Sequence, residues 1–320
     1  MVQLVEIREK IRRVLDQIGA IVVGKPDAAE YALIALLASG HIILEDVPGT
    51  GKTLLAKSLA RSLGCSFKRI QFTADLLPSD VSGINFYNQK AGAFELRTGP
   101  VFTNILLADE LNRATPRTQS SLLESMEERQ VTIDGETYPL VRPFLVIATQ
   151  NPVESHGTFP LPEAQLDRFM LRIPMGYPSA GEETEIVRRF MSGDPLAAAE
   201  PVLALEEVVR LQEELKEVRC HDDVLRYLLA IVSATRDHAD TAIGASPRAS
   251  LQFMRAAQAR ALLRGRDFVL PEDVKALARP VLAHRLVLHD PLAVGGRAEE
   301  IVREILDHVA VPAEQDAVYA

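Results

Sequence analysis

The sequence is poor in cysteine. It has two in 320 residues, Cys65 and Cys220, far apart and in no C-x-x-C pair. That excludes a disulfide framework and a zinc knuckle, and it fits a reducing compartment. The seven histidines form no H-x-x-x-H pair, so a zinc site of that kind is not expected. Long apolar runs are also missing. The most apolar stretch, Tyr31 to Leu44, is divided by Gly40 and His41. Each half is far shorter than the roughly 20 residues that span a bilayer. The first ten residues already carry Glu6, Arg8, Glu9 and Lys10, which leaves no apolar signal-peptide core. The expectation is a cytoplasmic protein without a membrane anchor. Positive charge is not in excess: 35 Lys and Arg against 44 Asp and Glu give −9. That argues against a binder of nucleic acid or membrane surface driven by charge, though not against a local basic channel. Glycine and proline, 18 and 19, are at ordinary levels, so collagen-like and low-complexity readings fail. No internal repeat is visible.

What is present is ordinary for a globular chain: 47% apolar and 25% charged residues. The length calls for one large or two ordinary domains. Leu4, Ile7, Ile11, Val14, Leu15 and Ile18 recur at helical spacing and predict an opening amphipathic helix. Further helices are expected over 28–38, 52–63 and 116–128, the last opened by Thr115-Pro116. Gly64 is the expected stop of the helix over 52–63. Apolar runs at 41–44, 104–108, 144–149 and 169–173 read as strands, and 67–72 can form another. Residues 84–96 read as a hairpin around Lys90-Ala91-Gly92, and 131–140 as a second, turning at Asp134-Gly135. Continuous apolar strands alternating with helices predict an α/β fold, a parallel sheet covered on both faces. After Pro178 the pattern shows no strong strand, only helical stretches near 181–192, 205–218, 222–236, 247–264, 271–284 and 298–308. Two domains are therefore expected, 1–178 and an all-helical 179–320.

The strongest chemical signal is Asp46-Val47-Pro48-Gly49-Thr50-Gly51-Lys52-Thr53, entered by a buried strand and left by a helix. A phosphate-binding loop needs that context. Gly49 and Gly51 let backbone N–H groups curl around phosphates, and the helix start adds its positive dipole end. Lys52 supplies a mobile point charge, and the Thr53 hydroxyl is placed to hold Mg²⁺. The first glycine of the usual pattern is Asp46 here. The second signal is Ile105-Leu106-Leu107-Ala108-Asp109-Glu110, an apolar strand ending in two carboxylates. Asp109 can enter a Mg²⁺ shell and Glu110 can polarise an attacking water. The third is Val146-Ile147-Ala148-Thr149-Gln150-Asn151-Pro152, whose Asn151 either orients water or caps a turn before Pro152.

Taken with later blocks, these residues resemble the MoxR family of AAA+ ATPases. The blocks are Glu45 to Thr53, Ala108 to Ala114, Met126 to Thr132, Leu161 to Phe169 and Gly244-Ala245-Ser246-Pro247-Arg248. They run through nearly the whole chain in family order. The resemblance implies an AAA+ nucleotide-binding domain followed by a helical lid, and Mg²⁺-dependent hydrolysis of ATP. It implies a phosphate cradle from Pro48 through Leu54, and an adenine pocket lined by Val22, Val23 and Gly24. It makes residues 84–96 the hairpin inserted in helix 2 and 131–140 the hairpin before sensor 1. It further implies Asn151 as sensor 1, Arg168 as an arginine finger acting on the neighbouring subunit, and Arg248 as sensor 2 from the lid. An arginine acting in trans implies a ring, and the family suggests a hexamer.

Several residues stay open at this stage. Arg168 has the alternative of a surface ion pair with Asp167 or Glu163. Arg248 opens a helix, a poor dipole position for a cation, which favours an anionic partner. Arg113 and Arg117 either sense nucleotide or a neighbour, or lie on a solvated helix face. His156 reads as structural more than catalytic. Arg255, Arg260, Arg264 and Arg266 tempt a nucleic-acid reading, but only Phe253 and Phe268 interleave them, so a lid surface is favoured. The family resemblance implies chaperone-like remodelling of a client enzyme with a separate partner carrying a von Willebrand factor A domain. The alternatives are the ATPase subunit of a metal-inserting chelatase and, with less support, a nucleic-acid motor.

Overall fold

The computed structural model describes residues 2–45, 49–150, 157–290 and 296–312, with side chains from residue 6 onward. The chain packs as two compact units, Glu9–Glu213 and Met1–Arg8 together with Glu214–Ala320.

The larger unit opens with α1 (Val2–Ile21), whose first turns belong to the other unit, and α2 (Pro26–Leu37). Then come β1 (Ile42–Glu45), α3 (Lys52–Ser62), β2 (Phe67–Gln71), α4 (Pro78–Ser82), β3 (Gly83–Asn88), β4 (Ala93–Thr98) and β5 (Ile105–Asp109). It continues through α5 (Pro116–Glu128), β6 (Gln130–Ile133), β7 (Glu136–Pro139), β8 (Leu145–Gln150), α6 (Glu163–Leu166), β9 (Leu171–Pro174), α7 (Ala180–Ser192) and α8 (Leu205–Glu214). Five strands form one parallel sheet in the order β2-β5-β8-β1-β9. Ile42 to Leu44, Ile105 to Ala108 and Leu145 to Ala148 are all buried, because helices cover both faces. Those are the runs that the sequence shows as continuously apolar. The two hairpins, β3–β4 and β6–β7, stand apart from the sheet as separate two-stranded ladders.

Local chemistry accounts for the element ends. At the close of α3 the Cys65 N–H reaches Ala60 O at 2.9 Å and the Gly64 N–H reaches Arg61 O at 3.3 Å. This paired closure requires a left-handed residue between, and Gly64 supplies it with φ +58°. The β6–β7 turn needs positive φ at both central positions, and Asp134 (51°) with Gly135 (86°) meets that need.

A buried histidine ties the sheet to α5. The Val146 N–H donates to His41 Nδ1 at 2.9 Å, so the ring proton sits on Nε2, which faces Met126 O at 3.0 Å. Phe144 packs edge-on at 5.5 Å. Burial, with the Arg129 guanidinium nearby, lowers the His41 pKa to about 3. The folded state therefore holds neutral imidazole where the unfolded chain takes up a proton near the ordinary value of 6.5. Stability is complete above that value and is lost as pH falls towards 3, at up to about 1.4 kcal/mol per pH unit. We expect His41→Ala to cost roughly 2–5 kcal/mol, since it strands one buried donor and one buried acceptor. We also expect it to flatten that part of the acid limb. Chemical denaturation from pH 7 to 4 measures both; an unchanged slope would contradict the assignment.

The smaller unit contains α9 (Asp222–Asp237), β10 (Thr241–Ile243), α10 (Pro247–Leu263), α11 (Pro271–Leu282), β11 (Val287–Leu288) and α12 (Arg297–His308). Its helical content agrees with the sequence pattern. The short antiparallel pair β10–β11 is an addition to it, since the pattern past residue 178 shows no strong strand; at three and two residues these strands are too short to show a period. Leu228, Ile231, Phe253, Leu277 and Ile301 are buried in its core. Asp273 is fully buried there and takes Arg260 Nη1 and Arg266 Nη2, each at 2.7 Å, along with the Leu270 N–H at 2.9 Å. Two of the four arginines that tempted a nucleic-acid reading are therefore committed to an internal carboxylate. Arg266 also lies over the Phe268 ring, 5.9 Å from its centroid.

Candidate functional site

The strand registers decide which side chains meet. Glu45 is level with Gln150, Ala108 with Ala148, and Gln71 with Asp109. The ends of β2, β5 and β8 therefore open on one edge of the sheet, beside the loop that leaves β1. A cleft of about 400 Å³ lies there, lined by residues 49–54, by Asp109 and Glu110, and by Arg69, Gln71, Thr149 and Gln150. Of the sequence-predicted site residues, the structure brings together Gly49, Thr50, Gly51, Lys52, Thr53, Leu54, Asp109 and Glu110.

Gly49 (φ 87°) and Gly51 (φ 92°) both adopt the left-handed region, which side chains disfavour. A Cβ at either would meet nothing within 4 Å, so conformation and not crowding requires glycine. Gly51 is also the N-cap of α3 and offers no side chain to the first-turn N–H groups, and that turn holds no acidic residue. The positive end of an 11-residue helix is left without a carboxylate of its own. An anion is the partner that suits it.

Asp109 and Glu110 are held differently. Thr149 Oγ1 donates to Asp109 Oδ1 at 2.6 Å and accepts the Glu110 N–H at 2.8 Å, so one hydroxyl on β8 orients both. Glu110 has φ 56° and ψ 49°, left-handed for a residue with a side chain. That conformation costs roughly 1–2 kcal/mol, and it swings the chain from β5 into the short 3₁₀ turn Leu111–Arg113. Its Oε2 accepts from Gln71 Nε2 at 2.8 Å and pairs with Arg113 Nε at 3.0 Å. Arg113, open between two readings in the sequence, is thus a partner of Glu110, while Arg117 is exposed. The Thr53 hydroxyl and Asp109 carboxylate are hard oxygen donors of the kind Mg²⁺ takes. Gln150 Oε1 is buried at the cleft with no hydrogen-bond partner, an acceptor left for a ligand donor.

Four lining residues were missed: Arg69, Gln71, Thr149 and Gln150. Arg69 and Gln71 alternate onto one face of β2, and two long polar side chains at i and i+2 in a strand were the available signal.

Other predicted residues lie elsewhere. Val22, Val23 and Gly24 form the turn between α1 and α2 and do not line this cleft. Arg168 lines a second cleft, of about 290 Å³, with Glu124, Glu127 and Glu128 of α5. Its Nη1 donates to Leu123 O at 3.0 Å and meets Glu127 Oε2 at 3.1 Å, so Glu127 takes the place offered to Asp167 or Glu163. Arg248 sits in the first turn of α10, within the smaller unit, after the N-cap Ser246. Pro48, Asn151 and His156 fall outside the described residues.

Residues 41–171 match the ATPase family associated with various cellular activities (AAA), and residues 233–305 match the AAA lid domain. Protein YeaC of Bacillus subtilis is 52% identical, with 96% of each chain covered. Chaperone MoxR1 of Mycobacterium tuberculosis is 45% identical over 94% of this chain and 82% of its own. A crystal structure from Cytophaga hutchinsonii superposes with a TM-score of 0.88 at 41% identity, covering 97% of both chains. With a phosphate-type loop, paired carboxylates at the end of β5 and a matching lid, the chain belongs to the MoxR family of AAA+ ATPases.

Proposed function

We propose that this chain hydrolyses ATP with Mg²⁺ and uses the cycle to remodel or mature a partner protein. The observation that carries the reading is the shared edge: the uncapped start of α3 with Lys52 faces the same cleft as Asp109 and Glu110. In this reading Lys52 and the amides of 49–53 hold the phosphates. Thr53 and Asp109 would hold Mg²⁺, which would supply positive charge to the phosphate oxygens. Glu110 takes a proton from water as the water oxygen attacks the γ-phosphorus and ADP leaves. Asn151 and Arg248 keep the roles that the family resemblance implies. Arg168 reaches the nucleotide of a neighbouring copy in a hexameric ring, where it offsets developing charge.

The client side rests on the family. The relative named Chaperone MoxR1 supports a chaperone-like use of the cycle, and the resemblance points to a separate protein with a von Willebrand factor A domain. A cytoplasmic site suits the two free thiols, Cys65 being pushed by burial to about 12. Among the described residues no helix is long and apolar enough to cross a membrane.

The test is a trap. Tagged Glu110→Gln, loaded with ATP and Mg²⁺, is recovered from native lysate with Lys52→Ala as control. We expect a von Willebrand A protein or an enzyme precursor held only by the ATP-loaded form. Recovery of nucleic acid or a chelatase subunit instead would overturn the remodelling role.

A further inference from the structure

We infer that Arg69 is a built-in counter-cation that competes with the divalent metal for Asp109, so that it sets how much metal the nucleotide site requires. The inference rests on the proposed Mg²⁺ seat and adds a residue that the phosphate-loop reading does not use.

The geometry is specific. Arg69 Nε and Nη2 both donate to Asp109 Oδ2, at 3.1 and 2.5 Å. The other oxygen, Oδ1, accepts from Thr149. A charge-assisted pair with two donors on one oxygen leaves that oxygen no lone pair directed at a further ligand. The Asp109 side chain is 13% exposed and that of Arg69 is 48% exposed, so the carboxylate is the more buried member of the pair. Two like charges cannot share one carboxylate cheaply, so metal entry and release of Arg69 are one exchange.

Arg69 is also held in register for this role. Its Nη2 donates to Gln71 Oε1 at 2.8 Å, on the same face of β2. Once displaced it still lines the cleft that contains the phosphate loop, so a bound phosphate offers it a second acceptor. Metal and phosphate therefore exchange partners with Asp109 and Arg69: two separated ion pairs replace the one seen here.

The sign of the effect separates this role from a structural one. Loss of a merely structural ion pair would loosen the site and raise the metal requirement. Loss of a competitor lowers it. The measurement is the Mg²⁺ concentration that half-saturates binding of fluorescent ADP to the full chain at fixed nucleotide. Bound Mn²⁺ counted by EPR is the second readout. We expect Arg69→Gln to lower the half-saturating Mg²⁺ by about three- to tenfold, the range of a partly exposed to well-formed ion pair. Arg69→Lys keeps a charge but not the paired donors and should fall between; it also serves if Arg69→Gln folds poorly. An unchanged or raised Mg²⁺ requirement in both variants would overturn the inference while leaving the ATPase reading intact. Failure of wild type to bind ADP at any Mg²⁺ concentration would sink the ATPase reading itself.

Discussion

Glu110→Gln is expected to slow steady-state ATP turnover by about 10²- to 10⁴-fold while leaving ATP bound, the loss typical of a removed general base. The contacts explain why the two properties separate. Glu110 is fixed through its backbone by the Thr149 hydroxyl and through Oε2 by Gln71 and Arg113. Glutamine has the same shape and retains an acceptor oxygen for those donors, so the left-handed backbone at this position keeps its support. What disappears is the capacity to take a proton from water. The phosphate loop and Thr53 are untouched, so affinity for nucleotide should change little. Phosphate release and retention of labelled ATP, measured on one preparation, test this directly. Wild-type turnover in Glu110→Gln would remove the base assignment.

Arg168→Ala is expected to lower turnover by about 10³-fold or more, the range for an arginine that stabilises phosphoryl transfer from outside the nucleotide's own subunit. Its structural contribution is small by comparison. The contact with Glu127 joins side chains that are 32% and 35% exposed, and pairs of that exposure contribute about 1 kcal/mol or less. Thermal stability should therefore hardly move. Nη1 is engaged by both Leu123 O and Glu127, which leaves the N–H groups of Nη2 and Nε for an anion. The guanidinium is thus anchored at one corner and presented at the others. A large loss of stability with a small loss of turnover would make Arg168 a packing residue instead.

Much of the fold was legible because burial writes itself into composition. Three of the five sheet strands, β1, β5 and β8, stood out as apolar runs, since helices on both faces leave little room there for a polar residue, whereas β2 carries Lys68, Arg69 and Gln71. Gly64 and the Asp134-Gly135 turn were legible because only certain residues accept positive φ cheaply. The unit boundary is of another kind. Strands of the main sheet end at Pro174, yet the larger unit continues to Glu213. Within it, α7 and α8 fold back: Gln212 Nε2 donates to Leu36 O at 2.6 Å, and Lys10 pairs with Glu207 at 2.6 Å. A change in secondary structure is visible in sequence; which surface a helix packs on is not.

The site divides the same way. The phosphate loop and the Asp109-Glu110 pair are contiguous in sequence, with the strand and helix they need beside them. Arg69, Gln71 and Thr149 join them only through strand order, since β2 and β8 flank β5 from 40 residues away on either side. Nothing local to Phe67–Gln71 states that its neighbour will be the strand that ends in two carboxylates. The Glu127 contact of Arg168 likewise depends on where α5 lies.

In the proposed function ATP is turned over at a site shared between two copies, with Glu110 from one and Arg168 from the next. The most direct test is turnover by a mixture of Glu110→Gln and Arg168→Ala chains, each nearly inactive alone. An Arg168→Ala copy retains Glu110, and a Glu110→Gln neighbour supplies it with Arg168. Random one-to-one assembly should then restore about a quarter of the sites, and with them up to about a quarter of wild-type turnover. Activity no greater than the sum of the separate variants would contradict the shared site.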